Sequence, residues 1–217
     1  MKIGILGAYG FLGTHLTTYY TELGNEVLKF GKGDTSLASL KECDLLIHSA
    51  AINRAPTSEE VIQGNLKITK DLIQELKLNN VKIPIKYISS IQEGNATPYG
   101  IAKLESKKLL DQYCATNRTL FESYKLPNLF GTKGKPNYNS FVNTFAYNIV
   151  HSIECTYNSN PIDLCHVSDA IKVIDNKTPN YKVYTTTVKE VYNKLNNPDN
   201  SEFDNKLTQI LNYYKSL

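Results

Sequence analysis

A doubly wound parallel α/β sheet is the fold class that this 217-residue chain predicts. Three observations carry the expectation. The chain opens on a short apolar run, Lys2 to Leu6, that passes through a glycine turn directly into a helical pattern. Short apolar runs then alternate with helix-length segments over most of the sequence, as strands joined by crossover helices do. One such run ends in Ser49-Ala50-Ala51, small residues suited to the carboxyl end of a parallel strand, outside which ligands bind. Together they predict a Rossmann-type sheet.

The opening turn is Gly7-Ala8-Tyr9-Gly10-Phe11-Leu12-Gly13, and the helix behind it shows Leu16, Tyr19, Tyr20 and Leu23 before Gly24-Asn25 stops it. Glycines between a strand and a helix serve three needs: a tight turn, backbone approach to a pyrophosphate, and close packing of helix on strand. The helix N-terminus adds unpaired N–H groups and the positive end of its dipole. Gly7, Tyr9, Gly10, Phe11, Leu12 and Gly13 are therefore candidates for holding a dinucleotide. The second strand, Glu26 to Phe30, runs into Gly31-Lys32-Gly33-Asp34. A carboxylate at that strand end would hold a ribose 2′-hydroxyl, and a cation would accommodate a 2′-phosphate. Lys32 comes first and Asp34 later, so NADPH is favoured over NADH. A lysine between glycines is also an ordinary loop residue.

Asp44 to Ala51 predicts the next buried strand, with Ser49, Ala50 and Ala51 under the dinucleotide and His48 as a core or strand-end histidine. A helix from about Ser58 to Lys77 follows, and Asn65 is the polar exception among its apolar positions. Such an asparagine is usually solvated; buried beside a reacting centre, it can hold a water or a backbone carbonyl. The next strand closes with Ser89 and Ser90, and a short loop leads to Pro98-Tyr99-Gly100-Ile101-Ala102-Lys103. Residues four apart share one face of a helix, which sets an ammonium beside a phenol. A nearby cation favours the phenolate, so Tyr99 is expected to titrate below the ~10 of a free tyrosine. The same spacing also fits an ordinary amphipathic helix with a solvated lysine.

Leu120 to Leu126 reads as a strand that Pro127 ends, since proline has no N–H for the ladder. Thr132 to Ser140 is a polar, basic loop in which Lys135 could grip an anion or simply be solvated. Helices are expected at Phe141 to Val150, from about Cys165 to Ile171, near Val188 to Leu195, and after a Ser201 cap, with a last strand at Tyr181 to Thr186.

Bulk composition narrows the function. Twenty-four Lys and Arg against 21 Asp and Glu leave a net charge of +3 with no run of one sign, which argues against nucleic-acid or membrane-surface binding. The four cysteines share no close spacing and the four histidines do not cluster with them, so neither a disulfide framework nor a metal site is expected. No membrane-spanning run or signal segment is apparent, and a cytoplasmic location is expected.

With the glycine turn, the serine-bearing strand and Tyr99-x-x-x-Lys103 in order, the chain resembles an extended short-chain dehydrogenase/reductase over essentially its whole length. Ala51-Ile52-Asn53-Arg54, Ser89-Ser90-Ile91-Gln92, Pro98-Tyr99-Gly100, Pro127 to Gly131 and Lys135 to Ser140 are similar, more narrowly, to the reductase domain of capsular-polysaccharide enzymes. Those enzymes act on UDP-2-acetamido-2,6-dideoxy-hexos-4-uloses on routes to N-acetylated 6-deoxy-L-sugars.

The resemblance implies one extended domain over 1–217, about 1–130 mainly cofactor-binding and about 131–217 a small C-terminal substrate-binding lobe, interleaved. It implies NADPH-dependent reduction of a carbon-4 ketone. Tyr99 would donate the proton, Lys103 would hold the nicotinamide ribose, and Ser90, with Ser89 as runner-up, would bind the carbonyl oxygen. Asn65 would support the relay, and Pro127 and Leu129 would join the cofactor site. Arg54, Ser90, Gln92, Asn128, Lys135, Asn137, Asn139 and His166 would contact the UDP-linked 4-keto-6-deoxy amino sugar. His166-Val167-Ser168-Asp169 resembles a segment that closes the substrate lobe, and Lys125 departs from a position where relatives often have arginine. A homodimer paired through the Asn65 and Tyr99 helices is implied. The family's capsule members continue into a cupin domain that epimerises carbon 3, an activity not expected of these 217 residues. A 4-epimerase that keeps NAD bound, or a non-catalytic dinucleotide sensor, would use the same fold.

Overall fold

A computed structural model of the chain describes residues 1–31 and 37–217. They fall into two compact units, Met1–Leu126 and Pro127–Leu217. In the first unit the strands are β1 (Lys2–Leu6), β2 (Glu26–Phe30), β3 (Leu45–His48), β4 (Ile85–Ser90) and β5 (Phe121–Leu126), all parallel in the order β2-β1-β3-β4-β5. The connecting helices are α1 (Phe11–Glu22), α2 (Ser58–Leu78) and α3 (Pro98–Asn117), with a short 3-10 turn at Ala38–Glu42 that sequence reasoning missed. Strand order reverses at β1, so β1 and β3 flank the crevice where such sheets bind ligands.

Local signals set the helix ends. Thr57 caps α2 by accepting from Glu60 N, and Glu59 and Glu60 complement its positive end. Thr97 caps α3 by accepting from Gly100 N, with Pro98 in the first turn where its missing N–H costs nothing. All six residues of β4 are buried, as a central parallel strand requires. The core of this unit joins Leu6, Phe30, Leu46, Leu72, Leu76, Ile85, Tyr87 and Leu110. Each such side chain contributes ~1.5–3 kcal/mol by leaving water.

The second unit has its own three-stranded sheet, β6 (Asn128–Phe130), β7 (Pro161–His166) and β8 (Tyr184–Thr187), in which β6 and β7 are parallel and β7 and β8 antiparallel. Helices α4 (Phe141–Val150), α5 (Val167–Ile174), α6 (Val188–Asn196) and α7 (Glu202–Lys215) pack around it, with Phe130, Phe145, Leu164, Val191, Leu207 and Ile210 in a separate core. Two of these strands differ from expectation. Pro127 ends β5, but Asn128 begins β6 in the new sheet, and the expected helix near Cys165 is preceded by strand β7. Ser201 caps α7 by accepting from Asp204 N, and the buried Asp204 also accepts from Asp199 N at 3.0 Å.

Candidate active site

The glycine turn at the end of β1 meets the segment after β3. Gly7 has φ +91°, and a Cβ there would lie 2.6 Å from Ala50 N. A Cβ on Gly13 would lie 2.0 Å from Gly7 O, so only glycine lets α1 sit against the turn. Gly10 is different: its Cβ would meet only Gly7 O, at 3.3 Å. The three needs read from the sequence are thus divided among three positions: turn, helix packing, and an open backbone. The first turn of α1 carries no acidic residue and no side-chain cap. Its N–H groups and dipole face no competing carboxylate of its own, which fits a pyrophosphate. Leu12 is buried, so it can offer a ligand only its backbone; Tyr9 is exposed, and Phe11 packs edge-on against His15. Ser49 Oγ donates to Leu6 O at 3.0 Å, which ties the ends of β3 and β1. Lys32, the cofactor-selecting candidate, lies outside the described residues.

Asn65 is buried, and its amide faces the segment after β3. Nδ2 donates to Ile52 O at 2.8 Å and Val61 O at 2.7 Å, and Oδ1 accepts from Ile52 N at 3.0 Å. Both of its donor hydrogens are committed to backbone. Arg54, two residues on, is exposed.

The two serines of β4 differ in a way the sequence does not show. Ser89 Oγ donates to Glu93 Oε2 at 2.6 Å, so its proton is engaged. Ser90 Oγ accepts from Gln92 N at 3.2 Å and keeps its own proton for another acceptor. Gln92 closes the turn as well, its carbonyl accepting from Asn95 N at 2.9 Å. Lys103 is 3 % exposed and donates to Ile88 O at 2.7 Å, two residues before Ser90. The ammonium thereby fastens α3 to β4. It lies 5.5 Å from the centre of the Tyr99 ring and 4.9 Å from that of Tyr87.

This placement corrects the expected acidity of Tyr99. Burial pushes its phenol up to about 12, and it pushes Lys103 down to about 7. The i,i+4 spacing does bring the two side chains together, but the ammonium is aimed at a strand carbonyl and the half-buried phenol disfavours its own anion. His48 ends β3 buried, edge-on to Tyr87, and burial followed by the charge of Lys103 lowers it to about 3. It stays neutral, a core histidine as expected.

Glu93 was not singled out by sequence reasoning. It looked like one polar residue in a turn; the only hint was that Lys103 and Lys107, one turn apart on α3, share a need for a counter-charge. Its side chain is 3 % exposed and pairs with Lys107 at 3.2 Å and Lys125 at 3.1 Å.

The remaining candidates lie in the second unit. Asn128 opens β6, its Nδ2 donating to Asp163 O at 3.4 Å, with Leu129 half-buried and Pro127 buried beside it. Lys135, Asn137 and Asn139 are exposed in the loop from β6 to α4. Asn137 is left-handed at φ +56°, its N–H donating to Thr144 Oγ1 at 2.9 Å, and Lys135 lies 5.7 Å from the Tyr138 ring centre. His166 caps α5, its Nδ1 2.7 Å from Ser168 Oγ. Among the described residues no three His, Cys, Asp or Glu side chains gather to hold a metal ion, and no helix is long and apolar enough to cross a membrane.

The chain is 34 % identical over 191 residues to a UDP-2-acetamido-2,6-beta-L-arabino-hexul-4-ose reductase of Pseudomonas aeruginosa, covering 83 % of this chain and 51 % of that protein. It therefore spans about half the length of the curated relative it matches. Its fold superposes on the capsular polysaccharide assembling protein CapF of Staphylococcus aureus with a TM-score of 0.81 at 25 % identity, covering 99 % of this chain and 65 % of that one. The UDP-N-acetylglucosamine 4-epimerase of Bacillus cereus has the same fold, with a TM-score of 0.79 at 18 % identity, covering 100 % of this chain and 97 % of that one. Residues 3–193 match the model of the NAD dependent epimerase/dehydratase family, and with the glycine cradle and the Tyr99–Lys103 helix in place the chain belongs to that family.

Proposed function

We propose that these residues form an NADPH-dependent 4-ketoreductase acting on a UDP-linked 2-acetamido-2,6-dideoxy-hexos-4-ulose, on a route to an N-acetylated 6-deoxy-L-sugar of a surface polysaccharide. The observation that carries the reading is the Lys103 to Ile88 hydrogen bond, which fastens the Tyr99 helix to the strand that ends in Ser90. The 34 % identity to a reductase of matching name supports the substrate class.

Gly7, Tyr9, Gly10, Phe11, Leu12 and Gly13 would hold the pyrophosphate side of the dinucleotide. Ser49, Ala50, Ala51, Pro127 and Leu129 would line it, and Lys32 would take a 2′-phosphate. When bound, the reduced dinucleotide supplies a hydride to carbon 4 of the sugar. Ser90 donates its uncommitted proton to the ketone oxygen, where negative charge develops. Tyr99 then gives its hydroxyl proton to that oxygen. A phenol at about 12 is protonated at neutral pH, and a secondary alkoxide is a stronger base than a phenolate, so the transfer runs toward product. The raised value thus suits a donor. Lys103 holds the ribose and draws the phenol into line. Asn65 acts at one remove, by fixing Ile52 and with it the segment that follows β3. Arg54, Gln92, Asn128, Lys135, Asn137, Asn139 and His166 are assigned to the nucleotide sugar. The second unit is the proposed substrate lobe.

A homodimer through α2 and α3 accompanies this reading; Lys70, Ile73, Gln74, Lys77, Leu78 and Leu109 line a shallow, open hollow on these helices. The enzyme proposal is tested by mixing the protein with NADPH and the product of a UDP-N-acetylglucosamine 4,6-dehydratase. A reductase consumes one NADPH per sugar, whereas an epimerase that recycles its dinucleotide shows no net loss of absorbance.

A further inference from the structure

The loop that joins β4 to α3 contains a carboxylate on which three side chains converge, on a residue whose backbone N–H also holds the strand end. Ser89 Oγ donates to Glu93 Oε2 at 2.6 Å, Lys107 and Lys125 reach Oε1 at 3.2 and 3.1 Å, and the Glu93 N–H donates to Ser90 O at 2.9 Å. These partners come from β4, α3 and β5, and Lys125 stands opposite Ser89 in the strand register. One side chain therefore pins the end of the Ser90 strand to its neighbour and to the helix that bears Tyr99 and Lys103. The two lysines keep their own access to water, with side chains 33 % and 54 % exposed against 3 % for Glu93. The desolvation falls on the carboxylate, and a carboxylate buried in this way needs a role beyond pairing two surface cations.

Lys103 supplies that role. It is buried, and its hydrogen-bond acceptor is the neutral carbonyl of Ile88. Around it stand Tyr87 from β4 and Tyr99 from its own helix, while the charge of Lys103 acts on His48 from β3 and that of Glu93 in the loop acts on Lys103. His48 is held neutral, and both tyrosines are held protonated. Glu93 is the anion of the group: burial works to raise it, but hydrogen bonds from Ser89, Lys125 and Lys107 outweigh burial and hold it below the usual carboxylate range. Its charge opposes the effect of burial on Lys103.

We propose that Glu93 is a positioning residue of the candidate active site: the clamp that holds Ser90 in register with the Tyr99 helix and thereby keeps a negative charge on the side of Lys103. Its consequence for catalysis rests on the reductase reading; the electrostatic part belongs to the protein alone. The test follows the Lys103 titration by NMR in the full chain labelled with 13C at lysine Cε, without ligand, the resonance being assigned by its loss in Lys103→Met. In Glu93→Gln the midpoint is expected to fall by roughly one pH unit, a tenfold change in the acid constant, and in Glu93→Asp to return toward the parent. A midpoint unmoved in folded Glu93→Gln overturns the proposal. Should that variant not fold, Glu93→Gln/Lys125→Gln is compared with Lys125→Gln alone; a lower midpoint in the double variant supports the proposal, and an equal or higher one overturns it. The pH profile of ketone reduction in Glu93→Gln is to move in the same direction as the midpoint. If neither parent nor variant binds NADPH, the reductase reading fails while the Lys103 midpoint still decides the charge effect of Glu93.

Discussion

Asn65 grips Ile52 by both of its backbone groups, accepting from its N–H at 3.0 Å and donating to its carbonyl at 2.8 Å. The amide is the one side chain that can do both at once and still donate to Val61 O. Asn65→Ala should cost ~1–3 kcal/mol in urea unfolding, because both part-buried backbone groups of Ile52 lose their partner. Asn65→Asp should cost at least as much, since a carboxylate would face two carbonyl oxygens. Dinucleotide affinity should fall in both, through displacement of Ala50 and Ala51.

The glycine cradle makes a graded prediction. Gly13→Ala places a Cβ 2.0 Å from a backbone oxygen that cannot move without reshaping the turn. A loss of ~1–3 kcal/mol or more is expected, with loss of dinucleotide binding. Gly10→Ala meets only a 3.3 Å contact, so it should fold nearly as well as the parent while binding the dinucleotide more weakly. Thermal unfolding and NADPH fluorescence titration separate the two effects.

Lys103 should work against stability even as it serves the site. Its folded value is lowered from 10.5 to about 7, so the unfolded chain takes up a proton more readily than the folded one between those limits. Stability from this group is therefore full above pH 10.5, declines as pH falls toward 7, and stays low below that. Lys103→Met is expected to raise stability by about 0.5–2 kcal/mol at pH 7 and to lose that advantage as pH rises toward 10. Thermal unfolding of both proteins across that range checks the sign; an advantage that grows with pH would contradict it.

In the second unit, the Tyr214 hydroxyl contacts Gly134 O and lies 3.0 Å from Asn143 Oδ1, and Asn143 Nδ2 donates to Ser140 Oγ at 2.9 Å. A Cβ on Gly134 would fall 2.3 Å from that asparagine. The pair holds both ends of the loop that carries Lys135, Asn137 and Asn139. Tyr214→Phe should cost ~1–3 kcal/mol and raise KM for the nucleotide sugar while leaving NADPH affinity unchanged. A change in NADPH affinity instead would place the loop in a different role.

Much of this was legible in the sequence, and the exceptions have physical causes. The β1 to α1 passage, β2, α4 and the Ser201 cap follow from apolar period, glycine placement and capping chemistry, all local. Strand β6 is only three residues long and begins directly after a proline, and β7 includes Pro161 and Asp163, so neither shows the apolar run that marks a strand. The spacing of Tyr99 and Lys103 correctly puts them on one helix. The direction of their pKa shifts is set by burial, which only the packed sheet supplies. The difference between Ser89 and Ser90 is likewise invisible until Glu93 accepts the hydrogen bond of one of them.

The central claim is that hydride reaches carbon 4 of a sugar ketone while Tyr99 protonates its oxygen. It is tested most directly by incubating parent and Tyr99→Phe with NADPH deuterated at both hydrogens of its nicotinamide carbon 4 and the 4-keto sugar nucleotide, and reading the product by NMR. The account predicts deuterium at carbon 4 from the parent and a loss of ~100-fold or more in rate in the variant, with NADPH still bound. Deuterium absent from carbon 4, or a variant as fast as the parent, would contradict it.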